Sequence, residues 1–155
     1  MTREIDQTVG TDIKKVDEIS LDKKFAYTPI LEGQVVSLGP TDGTVIPCTD
    51  ITIPYGVALN EVSGVQIGEY QSGLKGTDSI EVIVALEGRT RVLGGEELTA
   101  NMWVSVNAAG RVIQATVATE EVIGFTVSAC AGDGHQCSIF IHRIPAGTYS
   151  AGRQE

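Results

Sequence analysis

Cys130, His135 and Cys137 place two thiols and an imidazole within eight residues, which is the donor chemistry of a zinc site. Their spacing fits no C-x2–4-C pair, and a fourth ligand would have to come from Cys48 or His142. A Gly-rich turn is the stronger reading. Gly68-x4-Gly73 followed by Leu74-Lys75-Gly76 has the outline of a phosphate loop. Leu74 separates the glycine from the lysine, and no Ser or Thr follows Lys75 to hold magnesium. His142 sits among Ile139, Phe140, Ile141 and Ile144, where a strand-borne histidine is more often structural than catalytic. Glu96-Glu97 and Glu120-Glu121 adjoin turn signals and read as solvated carboxylates, although a glycosidase pair depends on a separation that sequence does not give. Neither G-x-S-x-G nor H-E-x-x-H occurs. No catalytic set emerges, so the expectation is a non-enzyme with no cofactor and no metal.

Whatever the chain does must then be done by surfaces that its elements hold in place. The 155 residues fit one domain with a substantial core. Charged residues make up 20% and hydrophobic ones 42%, a globular balance. The net charge of −9 argues against direct binding of nucleic acid, which needs clustered Lys and Arg. With one Trp, a stacking platform for sugars or single strands is poorly supported. No apolar run is long enough for a transmembrane helix, and no basic stretch leads into an apolar one at the start, so neither membrane nor secretory signal is expected.

Val (17), Ile (15) and Thr (15) outnumber Leu (8) almost six to one, and branching at Cβ suits a pleated surface better than a helix. The 18 glycines recur between the apolar runs, as turns require. The chain is expected to be all-β. Its three cysteines are odd in number and sparse, which reads as reduced thiols in a protein made in a cytosol. A Cys130–Cys137 bridge across one turn stays open.

Residues 1–24 hold 11 of the 31 charged side chains and neither aromatic nor proline. Ile5, Val9, Ile13, Val16 and Ile19 are spaced by 4, 4, 3 and 3, a helical stripe. Residues 1–25 are therefore expected to form an N-terminal arm that orders on a partner, beside the plainer reading of a frayed tail. Residues 26–145 are expected to form the β-domain and 146–155 a mobile tail. Expected strands are Gln34–Leu38, Thr44–Pro47, Tyr55–Asn60, Ser79–Leu86, Arg89–Leu93, Trp103–Val106, Arg111–Gln114, Val122–Val127 and Ser138–Ile144. Asp42-Gly43 marks a hairpin, and Ser63–Gly76 reads as a long Gly-punctuated loop.

An internal repeat is visible. Ser37 and Ser105, and likewise Gly56 and Gly124, stand 68 positions apart within similar strand–hairpin–strand segments. The first copy carries about ten extra residues, assigned to the loop at Gly64–Gly73. Two such units are expected to pack into one barrel or two-sheet body.

Gly33-Gln34-Val35-Val36, Gly56-Val57-Ala58-Leu59, Ile80–Leu86, Gly88-Arg89-Thr90-Arg91-Val92, Trp103-Val104-Ser105, Ala109-Gly110-Arg111-Val112 and Ile123-Gly124 follow one another in an order that carries a resemblance. The chain resembles the capsid decoration proteins of tailed bacteriophages, also called cement or head-stabilising proteins. It departs from their pattern at Ala109, where an acidic residue is common, and at Phe125-Thr126. The resemblance spans about Leu31 to Ile144, and its motifs mostly encode strands and turns.

That resemblance implies a small β-tulip or β-clip-like barrel on the exterior of the virion capsid. It implies the major capsid protein as partner, and a homo-oligomer, most often a trimer, with a dimer as the other option. The role implied is mechanical: bridging neighbouring capsid subunits stabilises the expanded head against internal DNA pressure by mass action. The arm residues Ile5, Val9, Ile13, Val16 and Ile19 would then be the capsid-binding anchors. Other readings are a fibre base or tail component, a β-clip carbohydrate-binding domain with its site near Ser63–Gly76, and a trimeric β-clip nucleotidase lacking its motif set here.

Overall fold

Nine strands carry the regular structure of the described residues. The computed structural model describes residues 20–62, 81–116 and 121–145. Its strands are β1 (Ser20–Ala26), β2 (Val35–Leu38), β3 (Thr44–Pro47), β4 (Gly56–Ala58), β5 (Glu81–Leu93), β6 (Trp103–Val106), β7 (Val112–Gln114), β8 (Val122–Thr126) and β9 (Gln136–Ile144). No helix occurs among the described residues. The fold is all-β, a closed barrel extended by further strands.

β1 corrects the expected arm. Its expected span reaches residue 25, yet residues 20–25 pair antiparallel with β5 from Ser20↔Glu87 to Phe25↔Glu81 and parallel with β3 at Phe25↔Thr44. Asp22, Lys23 and Lys24 hide this strand in the sequence because most of it faces water. Its charges meet neighbours there, Lys23 with Glu81 at 3.6 Å and Lys24 with Asp22 at 3.4 Å. The ladder bonds, not apolar burial, place it.

With β1 in position, the order β1-β3-β2-β4-β5 returns to β1 and closes a five-stranded barrel. β5 then continues. The sequence suggested two strands here, but a single 13-residue strand runs through Gly88. Gly88 has φ +92, so the strand turns there without breaking, at a conformation that other residues adopt only with strain. Its first half belongs to the closed barrel, and its second half pairs with β9 from Gly88↔Ile141 to Leu93↔Gln136.

The remaining strands repeat the first barrel. The order β5-β9-β8-β6-β7 wraps the same way, and a parallel bridge from Gly94 to Val112 returns it towards β5, as Ala26↔Val45 does in the first copy. Isolated bridges Ile30↔Val62 and Leu98↔Cys130 occupy matching places. So do the 2.8 Å bonds from Gly33 N to Ala58 O and from Asn101 N to Thr126 O. Gly33 and Asn101 both have positive φ, at 88 and 70. The 68-residue spacing thus governs more than a strand–hairpin–strand motif: it includes β1 and the second half of β5.

Each barrel has its own interior. Ile30, Val36, Val45, Val62, Val82 and Val84 fill the first. Leu98, Val104, Val112, Cys130, Cys137 and Ile139 fill the second at the matching positions. Gly56 and Gly124 also match, and for the same reason: a Cβ would come within 2.4 Å of Ala85 O in one and 2.1 Å of Phe140 O in the other. Neighbouring strands approach too closely there for any side chain.

Candidate functional site

The sequence candidates disperse once placed. Ile5, Val9, Ile13, Val16 and Ile19 lie outside the described residues, as do the Ser63–Gly76 loop and the 146–155 tail. Cys130 and Cys137 face the second barrel's interior in the places that Val62 and Val82 hold in the first, where thiols act as small apolar groups. All three cysteines are free and buried. Burial, with Cys130 adding to it, pushes the Cys137 thiol up to about 12, far from a reactive thiolate. His135 is exposed on the turn, where its carbonyl accepts Gly94 N at 2.8 Å. Glu96 accepts a bond from Gln114 N at 2.8 Å, a structural use of one of the paired carboxylates.

What the strands do assemble is a row of outward-facing apolar rungs, present twice. In the first barrel the row is Val35, Val57 and Ala85, set side by side by β2↔β4 and β4↔β5 pairing. All three are fully buried, in one continuous core with the second barrel. The seal includes the β6–β7 hairpin, where Val35 N donates to Gly110 O and Gln34 Nε2 donates to Ala109 O, both at 2.9 Å.

The matching row in the second barrel is Trp103, Phe125 and Phe140. Trp103 meets Phe125 edge-on at 5.4 Å, and Phe125 stacks on Phe140 at 5.6 Å. His142, read in the sequence as structural, is exposed and leans on Trp103 at 5.6 Å. Phe140 is 42% exposed, and Val127 beside it is exposed too. The chain's one Trp and two of its three Phe thus form a wall at its surface. Sequence reading noted these residues singly and missed the wall. The signal was available: overlaying the repeat puts Trp103 on Val35 and Phe125 on Val57.

The first barrel has a second apolar surface. Leu38, Ile51, Ile53, Pro54 and Tyr55, with Ser37, Thr52 and Arg143, line an open groove of about 460 Å³. Ile51 is 89% and Ile53 72% exposed. A polar knot borders it. The Tyr55 hydroxyl donates to the Asp22 carboxylate, Lys24 lies over the Tyr55 ring at 5.5 Å, and Arg143 donates to the carbonyls of Pro54 and Tyr55 at 3.2 and 3.0 Å. The hydrogen bond to Tyr55, helped by Lys24, holds Asp22 below its ordinary 3.8. The same bond, with burial, raises Tyr55 above 10.0. A smaller pocket of about 210 Å³ lies between the barrels, lined by Thr49, Thr52, Ser105, Asn107 and Glu121 among others. The buried Ser105 Oγ has no hydrogen-bond partner among the described residues. These surfaces are suited to contact with other macromolecules through apolar area.

No protein-family model and no curated protein matches the chain. Among solved structures it is similar to the N base of the head fiber protein gp8.5 of bacteriophage phi29, with a TM-score of 0.59 at 15% identity. The likeness covers 81% of this chain and 95% of that one, too large a share for one repeat alone. At that identity it shows a shared fold.

Proposed function

We propose that this chain is a structural, non-enzymatic protein of a phage virion that seats on the outside of the head. The observation that carries the reading is the likeness to a head-fibre base along nearly that base's whole length. Two versions of the role follow. As a fibre base, the chain anchors an appendage to the shell. As a decoration protein, which the sequence motifs resemble, it bridges neighbouring major capsid proteins and stabilises the expanded head, since binding to the shell and not to its parts favours the shell. Exposed apolar surface at the aromatic wall and the Leu38–Tyr55 groove supports a contact role in either version. Residues 1–19, with Ile5, Val9, Ile13, Val16 and Ile19, supply the capsid anchors in this proposal, and several such contacts acting together raise avidity.

The test is co-sedimentation with mature phage heads stripped of accessory proteins. Saturable pelleting at a fixed ratio to the major capsid protein is the expected result. If the loaded heads also resist heat better, the decoration version holds; if their heat resistance is unchanged, the fibre-base version holds. A protein that stays in the supernatant while the heads pellet overturns both.

A further inference from the structure

We infer that this chain associates head to tail with a second copy of itself, the hairpin end of the first barrel on one chain seating against the aromatic wall of the second barrel on the next. The fold already contains a contact of this kind, because the second barrel buries the row Val35, Val57 and Ala85 of the first, with its hairpin bonded to Gln34 and Val35. The inference rests on the repeat and not on the proposed function, so it has its own test.

The repeat maps both halves of that internal contact onto surface. The covered row maps to Trp103, Phe125 and Phe140, and Leu59, which packs on the covered core, maps to the exposed Val127. On the covering side, the buried Val106 and Leu93 map to Leu38, 56% exposed, and Phe25, 37% exposed. Gly110 maps to Gly43. A Cβ on Gly110 would lie 2.8 Å from Gln34 Cγ, because the hairpin presses against the first barrel, whereas a Cβ on Gly43 would meet nothing within 4 Å. Among the described residues, Phe140 and Val127 of the wall therefore meet no matching hairpin, and Leu38 and Phe25 of the hairpin end meet no matching wall.

A repeat at the end of a stack is expected to carry a polar outer face. Here the outer row of the last repeat has instead exchanged Val, Val and Ala for Trp, Phe and Phe. A second copy is the occupant that brings the complementary face with it. The contact is heterologous, so every chain uses one face of each kind and growth stops only where the rotation closes a ring.

Sedimentation velocity on the full chain, over a concentration series reaching about 1 mM, where even weak specific association registers, tests this with Phe140→Glu on the wall and Leu38→Glu on the hairpin end. Both positions are exposed, and circular dichroism confirms that each variant folds. The wild type is expected to grow beyond a dimer with concentration, and each variant alone to stay monomeric. An equal mixture of the two is expected to form a dimer and nothing larger, since it retains one intact wall facing one intact hairpin end. A wild type that stays monomeric throughout, single variants that associate like the wild type, or a mixture that stays monomeric overturns the inference.

Discussion

Tyr55 and Asp22 join the start of β1 to the residue before β4, and the hydrogen bond that the Tyr55 hydroxyl donates to the Asp22 carboxylate links stability to pH at both extremes. Asp22 has its folded pKa depressed below 3.8, so its contribution is present above that value and lost as pH falls through the folded pKa. Tyr55 has its folded pKa raised above 10.0, so its contribution is fully present below 10.0 and lost as pH rises through the folded value. Both groups are half-buried at the surface, where solvent screens their charges, so the effect is modest. Thermal melts across pH should therefore show a Tm that declines in acid below about pH 4 and in alkali above about pH 10. Tyr55→Phe removes the hydroxyl that shifts both groups. It is expected to lower Tm at neutral pH and to flatten both limbs, and limbs unchanged in the variant would show that other groups set them.

β5 is the element on which the two barrels depend, because no other strand among the described residues pairs in both. Gly88 marks the point where it passes from one to the other, at φ +92. Alanine there must adopt a strained backbone at a cost of about 1–3 kcal/mol, which lowers Tm by several degrees in a chain of this size. The shared strand and the common core also predict that the loss is felt together. Trp103 fluorescence reports the second barrel and Cys48 labelling reports the junction, and in Gly88→Ala both are expected to move to one lower midpoint. Two separated midpoints would show that the barrels unfold independently. The strands that the sequence revealed best explain those it concealed. Thr44–Pro47 and Trp103–Val106 were read at their observed bounds because each is an apolar run next to turn residues. β1 escaped because its alternation is charged, and the continuity of β5 escaped because Glu87-Gly88 imitates a turn. Ser37/Ser105 and Gly56/Gly124 did reveal the repeat, since tight strand approach allows only glycine at the second pair. The aromatic wall was not read for a different reason. Periodicity assigns a residue to the outside of a barrel, but only the placement of the second barrel says which outside is covered.

At the scale of the whole molecule, the placement of β1 decides where an arm can be removed. A cut after residue 24 would take most of the strand that closes the first barrel, through its ladders to β3 and β5. Loss of head binding after that cut would then report an opened barrel and not a missing anchor. The boundary that separates the two lies before Ser20. A chain lacking residues 1–19 keeps every strand described above, so it is expected to melt within a few degrees of the full chain and to show the same circular dichroism. A chain lacking residues 1–26 exposes the edges of β3 and β5 and the cluster of Ile30, Val36, Val45 and Val82, and is expected to lose cooperative unfolding or to aggregate. If Ile5, Val9, Ile13, Val16 and Ile19 are the capsid anchors, the first truncation stays in the supernatant when stripped heads are pelleted, although it is folded. Pelleting at the wild-type ratio would move the contact from the arm to the barrel surfaces, with the Leu38–Tyr55 groove and the Phe140 wall as the places to substitute next.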